Sequence, residues 1–203
     1  MREIPEETIG RLFCYLRQLL CLQREGRTTV SSQVLADACG VKSSMVRKDF
    51  SYFGELGVRG VGYKVDDLIA EFRSILKLDK GVKAALVGVG NIGRALLKYP
   101  GFEPEGFQIV RAFDADARKV GQHIDGVCVE SAERMEERIR ADGIKLAIVA
   151  VPVSEAPAVA ARLTTAGVKA ILSFAPCPLK MPDDVKVSCV DLATEMAKLV
   201  YYL

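Results

Sequence analysis

The chain has 203 residues, half of them hydrophobic and 27% charged, a composition that points to a globular rather than a disordered protein and leaves room for one large or two small domains. No uninterrupted apolar stretch reaches the roughly 18 residues of a membrane span, and the first residues lack the apolar segment of a signal peptide, so a cytoplasmic protein without membrane contact is expected. The net charge of +2 is local: residues 1–80 carry 13 Lys/Arg against 11 Asp/Glu, whereas 81–203 carry 15 of each.

In chain order, Ile9, Leu12, Phe13, Leu16, Leu19 and Leu20 recur at helical spacing and predict an amphipathic helix over 6–24, stopped by Gly26. Cys14 and Cys21, seven apart on that helix, read as buried apolar residues. None of the six cysteines forms a Cys-x-x-Cys pair, which leaves zinc-ribbon and thioredoxin chemistry unsupported. His123, the single histidine, completes no metal set, so no metal site is expected. Residues 28–30 read as a short strand. Ser31 or Ser32 caps a second helix over 33–39, Gly40-Val41 makes a tight turn, and a third helix runs from 43 to 53.

Two short helices joined by a glycine turn form the helix-turn-helix pattern, whose second helix enters the major groove. Val46, Phe50 and Phe53 are its expected buried stripe, leaving Ser44, Arg47, Lys48 and Ser51 on the other face. Arg47 suits two-point bonding to guanine, and Lys48 and the serine hydroxyls suit phosphate or base edges. Asp49 would repel phosphate unless a neighbouring base, Arg47 or Lys48, neutralises it. Residues 54–65 alternate glycine with apolar residues and predict a hairpin wing with Arg59-Gly60 at its tip. Asp66 or Asp67 caps a further helix to about residue 77. Residues 78–81 are the domain boundary, without a slack linker, so the two domains are expected to be mechanically coupled.

Residues 82–87 are an apolar strand, followed by Gly88-Val89-Gly90-Asn91-Ile92-Gly93 and a helix start. In that context Gly-x-Gly-x-x-Gly binds a dinucleotide pyrophosphate: the first glycine turns, the second admits phosphate to the backbone, and the third lets helix pack on strand. Asp114, 21 positions after Gly93 and at the end of the strand 108–113, is placed for the ribose hydroxyls and favours NAD over NADP. Asp114 as a cap for a helix over 115–120 is the competing reading, and Arg118 or Lys119 at the ribose would weaken the preference for NAD. Further strands are expected at 127–129, 144–151, 170–174 and 185–190, with helices over 131–140 and, capped by Ser154, over 155–166. Alternating strands and helices imply a doubly wound parallel sheet with its ligand at the carboxyl ends of the strands, where the ends at Pro152 and Pro176 flank nicotinamide or adenine. Leu192, Met196, Leu199, Val200 and Leu203 line one face of a terminal helix, which packs on its own domain or on a second subunit.

The chain closely resembles the Rex redox-sensing transcriptional repressors of bacteria, from Ile4-Pro5 through Asp191 and into the tail. The most specific matches are 46–54, ending in Ser51-Tyr52-Phe53-Gly54, with Arg59-Gly60-Val61-Gly62-Tyr63, the glycine turn, Tyr99-Pro100-Gly101-Phe102 and Phe113-Asp114. The resemblance implies a homodimer that binds double-stranded operator DNA when NADH is scarce and releases it when NADH binds. It also implies that the terminal helix is exchanged between subunits, that Tyr99 and Asp191 join the contacts that change between the two states, and that Leu192 lies near the nicotinamide pocket. The family often has Thr-Pro where this chain has Lys42-Ser43, which shifts the cap of the third helix to Ser43, and Asn where this chain has Ser173.

The fold class is therefore α/β: a winged helix-turn-helix domain over 1–80, a Rossmann-like NAD(H)-binding domain over 81–190 and a dimerisation helix over 191–203. The DNA-binding set is Ser44, Arg47, Lys48, Ser51, Tyr52 and Arg59. The cofactor set is Gly88, Val89, Gly90, Asn91, Ile92, Gly93, Asp114, Lys119 and Pro152. No catalytic residue is assigned. The alternatives are an NAD-dependent dehydrogenase with a helical appendage, which lacks an evident acid/base and a substrate domain, and a nucleotide- or coenzyme A-binding scaffold.

Overall fold

In a computed structural model of the chain, residues 4–54 and 62–203 are described. They fall into two compact units, Met1–Gly81 and Val82–Leu203.

The first unit is helical. Helix α1 (Glu6–Arg24) begins after Pro5, carries Glu6 and Glu7 in its first turn and Arg24 in its last, matching the helix dipole, and ends before Gly26 at φ +74°. It buries Leu12, Tyr15, Leu16, Leu19 and Leu22, one face at three- and four-residue spacing. Helix α2 (Ser32–Ala38) is capped by Ser31, whose hydroxyl accepts from Val34 N–H at 3.3 Å. Helix α3 (Ser43–Phe50) is shorter than its pattern suggests. Its N-cap is Lys42, with no side-chain cap, so Ser43 lies inside the first turn. Helix α4 (Val65–Ile75) likewise starts without a side-chain cap, and Asp66 instead accepts from Gln23 Nε2 at 2.7 Å. The Phe50 ring lies edge-on to Tyr15, Tyr63 and Phe72, with centroids 5.8, 4.9 and 5.3 Å away, and this aromatic cluster fixes α3 to the rest of the unit.

Strands β1 (Thr29–Val30) and β2 (Tyr63–Lys64) pair antiparallel. The second arm of the expected wing thus has its partner in the strand before α2. The rest of that hairpin, Arg59 included, lies outside the described residues.

The second unit holds strands β3 (Val82–Val87), β4 (Phe107–Asp114), β5 (His123–Ile124), β6 (Val127–Ser131), β7 (Leu146–Val149), β8 (Ala170–Ser173) and β9 (Lys186–Cys189). They form one seven-stranded sheet in the order β5-β6-β4-β3-β7-β8-β9, parallel except for the short β5–β6 edge pair that periodicity does not reveal. Alternate residues of the central strands serve opposite faces. Ala85, Val87, Ala147 and Val149 join Met135, Ile139 and Leu163 on one side, and Leu86 and Ile148 join Leu97, Ile124 and Val129 on the other. Helices α5 (Asn91–Leu97), α6 (Met135–Asp142) and α7 (Ala156–Thr165) belong to the crossovers. A single 3₁₀ turn, Ala132–Arg134, precedes α6, and Ser131 caps that turn. Ser154 does not cap α7: its hydroxyl meets the Glu155 carboxylate at 3.5 Å, and Glu155 is the N-cap. Helix α8 (Leu192–Val200) is the last helix and buries none of its residues in this protomer.

Candidate nucleic-acid and dinucleotide sites

Within the first unit α3 has two chemically distinct sides. Ser44, Arg47, Lys48 and Ser51 are exposed, Tyr52 is half-buried, and Val46, Asp49 and Phe50 point inward. Arg47 Nη1 donates to Ser32 Oγ at 3.1 Å, which orients the guanidinium and leaves its other N–H groups available. The Lys48 side chain is exposed, and its carbonyl accepts from Ser51 Oγ at 2.6 Å.

Asp49 corrects the expectation drawn from charge spacing: neither Arg47 nor Lys48 neutralises it. Its carboxylate is 1% exposed and is gripped by α1. Arg11 donates from Nε to Oδ2 and from Nη2 to Oδ1, both at 2.7 Å, a bidentate pair. Tyr15 Oη adds a bond at 2.9 Å and Thr8 Oγ1 one at 3.2 Å. Burial pushes the Asp49 carboxyl up, but the bonds from Arg11, Tyr15 and Thr8 outweigh it and hold the group below its ordinary value. Burial, and then the bond to Asp49, push the Tyr15 phenol up. A negative charge on α3 is thereby withdrawn from the surface and turned into the helix's anchor. The sequence signal is a polar line, Thr8, Arg11 and Tyr15, on the inward side of α1, and an aspartate set within the apolar stripe of α3.

In the second unit the glycine turn lies where the strand order reverses, between β3 and its neighbours β4 and β7. Its three glycines differ in surroundings. Gly88 has φ +95°, and a Cβ there would stand 2.5 Å from the Ala150 carbonyl oxygen. A Cβ on Gly93 would stand 2.0 Å from the Gly88 carbonyl oxygen. Gly90 alone of the three has nothing within 4 Å of such a Cβ. Gly88 and Gly93 therefore serve the protein's own close packing, while the backbone at Gly90 is open to an incoming group. Asn91 and Ile92 beside it are exposed, and Val89 is buried.

Asp114 ends β4 beside this turn and is 8% exposed. Its Oδ2 accepts from Val89 N–H at 2.7 Å and from Lys119 Nζ at 2.9 Å, and its Oδ1 from Asp116 N–H at 2.8 Å. Burial raises the carboxyl, and these three donors more than reverse it, so the group is held below its ordinary value and stays charged. Residues after Asp114 form turns rather than a helix, which removes the helix-cap reading. Lys119 stands on Asp114 itself. Pro152 is exposed past the end of β7, and its carbonyl accepts from Glu155 and Ala156 N–H at 3.0 and 3.2 Å. Among the described residues no group of three His, Cys, Asp or Glu is placed to hold a metal ion.

The residues expected to switch are engaged locally. Tyr99 is exposed and lies edge-on to Phe102 with centroids 4.9 Å apart. Asp191 caps α8, accepting from Ala193 N–H, Thr194 N–H and Thr194 Oγ1 at 3.0, 3.2 and 2.7 Å. Leu192 is 61% exposed. A cleft of about 700 Å³ lined by Leu96, Tyr99, Phe102, Phe107 and Cys128 includes neither the glycine turn nor Asp114. Cys14, read as a buried apolar residue, is instead joined to Cys39 by a disulfide, whereas Cys21 is free and half-buried.

Comparison with known proteins follows the same division. Residues 3–51 match the family described as putative DNA-binding protein N-terminus, and residues 79–177 match the CoA binding domain. The whole chain is 44% identical to a redox-sensing transcriptional repressor Rex of Roseiflexus sp., covering 92% of that protein. It is also similar to a solved structure of RSP in complex with β-NAD⁺ and operator DNA, at 35% identity and a TM-score of 0.92, over 100% of this chain and 93% of that one. The structure of RSP in complex with β-NADH matches at 34% identity and a TM-score of 0.87, over 100% and 95% of the two chains.

Proposed function

The chain belongs to the Rex family of redox-sensing transcriptional repressors, and from that premise we propose that it binds operator DNA through α3 and releases it when NADH occupies the glycine turn. The observation that carries this reading is the pairing, in one chain, of a helix whose basic side chains are exposed while its single carboxylate is buried, with a glycine turn whose middle glycine alone is open.

Arg47 reads base edges, with Ser44, Lys48, Ser51 and Tyr52 fixing the helix on the backbone, and Arg59 serves the wing. In the second unit a dinucleotide fits the open backbone at Gly90. Val89, Asn91 and Ile92 complete the turn around the pyrophosphate. Asp114 retains acceptor capacity for ribose hydroxyls, because three bonds do not exhaust its two oxygens. Its charge disfavours a 2′-phosphate, while Lys119, bonded to Asp114, moderates that repulsion. Pro152 is assigned to the border of the nicotinamide or adenine. The 1–80 region is the reader, 81–190 the sensor and 191–203 the dimerisation helix. Tyr99, Asp191 and Leu192 belong to contacts that differ between the DNA-bound and NADH-bound dimers. The place of action is the cytoplasm, where the operator is.

NAD(H) supplies binding energy that differs between the two states. NADH favours the state that does not bind DNA, and DNA weakens NADH binding by the same factor. The relatives of this chain are named as repressors, and in the proposed reading the cofactor is measured rather than consumed. The test is operator binding by fluorescence anisotropy in a titration of NADH and, separately, of NAD⁺. NADH is expected to release the DNA and NAD⁺ to retain it. Equal retention under both, or sustained hydride transfer to a small carbonyl compound, overturns the reading.

A further inference from the structure

The disulfide between Cys14 and Cys39 is the one covalent cross-link among the described residues, and its position relative to α3 gives it a consequence for DNA binding. Cys39 is the C-cap of α2. It is followed directly by Gly40, at φ +64°, and by Val41, whose N–H bonds the Ala36 carbonyl at 3.0 Å. Lys42 is already the N-cap of α3. The bond therefore fixes the turn that sets the entry of the reading helix. At its other end Cys14 lies on α1 next to Tyr15 and three residues after Arg11, two of the groups that hold Asp49 of α3. Helix α1 thus grips the reader twice, through Asp49 and through sulfur at the end of α2.

We propose that Cys14 and Cys39 are a second redox input: a thiol–disulfide pair that a peroxide closes and a dithiol reopens, with the closed form binding operator more tightly. The inference rests on the repressor reading above. In the cytoplasm thiols are kept reduced, and a disulfide there is ordinarily a transient or sensing one. Both cysteines are half-buried rather than sealed in the core, which suits access by a small oxidant. Closure takes two steps. One thiolate attacks a peroxide oxygen, forming an S–O bond, breaking the O–O bond and expelling hydroxide, which takes up the proton that thiol lost and leaves as water. The second thiolate attacks the resulting sulfenic sulfur, forming the S–S bond, breaking the S–O bond and expelling hydroxide, which takes up the second thiol's proton and leaves as a second water. Two thiols and one hydrogen peroxide give one disulfide and two waters, with sulfur oxidised and oxygen reduced.

The sense of the effect follows from the geometry of the closed form. It presents Ser44, Arg47 and Lys48 outward and keeps Asp49 clamped, and a reader already ordered has less freedom to lose on meeting DNA. Closure and low NADH then act in the same direction, both favouring repression.

The experiment uses the full chain and an operator selected from random duplexes at saturating NAD⁺. Failure to select any sequence defeats the repressor reading itself. With an operator in hand, affinity is measured after dithiothreitol and after hydrogen peroxide, with peptide mapping of the disulfide. The expected result is a several-fold tightening on oxidation, reversed by dithiothreitol and absent in Cys14→Ser and in Cys39→Ser. NADH-driven release is expected to persist in the reduced protein. Equal affinity of the two forms, no Cys14–Cys39 bond after peroxide, or an oxidation response surviving in both variants overturns the proposal. Reduced wild-type protein provides the comparison without a substitution, and Cys189→Ser, at an exposed free cysteine, is expected to respond like wild type.

Discussion

Arg47 stands exposed on α3 with one donor occupied by Ser32, so most of its planar fork remains for a guanine edge. Arg47→Ala is expected to weaken operator binding by about 1–3 kcal/mol and relax preference at one base pair, with NADH affinity unchanged. Anisotropy on operators mutated one position at a time checks this, and a uniform loss across all sequences would make Arg47 a phosphate contact instead. The glycines of the turn allow a sharper contrast. Gly90→Ala meets no protein atom, so the folded sensor is expected to melt normally while losing NADH affinity tenfold or more, the roughly 1.4 kcal/mol equivalent of one obstructed approach. Gly93→Ala drives a methyl into the Gly88 carbonyl and is expected to lower the melting temperature with or without ligand. Calorimetry for NADH beside thermal melting separates the two, and normal NADH binding by Gly90→Ala would remove the pyrophosphate assignment. Gly-x-Gly-x-x-Gly was legible from spacing alone, because each glycine answers a local demand. The partners of Asp49 were not: 38 residues separate it from Arg11, and no periodicity reports a pairing at that distance.

Helix α3 is too short to be stable from its own hydrogen bonds, so its position depends on what it is fastened to. Val46 and Phe50 supply apolar contact, and the Asp49 clamp supplies direction. Arg11→Ala leaves a buried carboxylate with two hydroxyl donors and no counter-charge. It is expected to destabilise the first unit by about 3 kcal/mol, at the low end for a broken buried pair because Arg11 is 24% exposed. Amide exchange across α3 in the full chain checks this, and unchanged protection would show the clamp to be dispensable. The same pair predicts an acid limit. The folded Asp49 carboxyl is held below its unfolded value, so its stabilisation is complete above the unfolded pKa of about 3.9 and disappears as pH falls through the lower folded value. Exchange protection of α3 should therefore decline below about pH 4 in the wild type. At this scale the helices were legible through three- and four-residue spacing, and α1 matches its pattern end to end. Their caps were less so: Lys42, Lys64 and Glu155 occupy N-cap positions where a nearby Ser or Asp was expected, because tertiary packing sets the entry angle of each helix. The β1–β2 pairing was hidden for the reason that hid Asp49, since it joins segments more than 30 residues apart.

For the whole molecule, the unanswered demand of the sequence is the face of α8. Leu192, Met196, Leu199 and Val200 are each more than 60% exposed, and Leu203 is wholly so. A contiguous apolar stripe of that size on a lone helix marks an interface. Under the proposed function a second copy is the expected occupant of the stripe, and a two-fold assembly would place two α3 helices on successive half-sites. Leu199→Glu sets a charge within the stripe, where burial against an apolar partner surface would cost several kcal/mol. Because α8 buries nothing in its own protomer, the variant is expected to fold and to bind NADH as before. It should sediment as a monomer and lose a hundredfold or more in affinity for a two-half-site operator, as the second contact becomes bimolecular, while affinity for an isolated half-site is retained. Sedimentation velocity and anisotropy on the two DNA lengths decide the matter. A dimer that persists in Leu199→Glu would move the interface elsewhere, and a loss of half-site binding would show that α8 supports the reader within one chain.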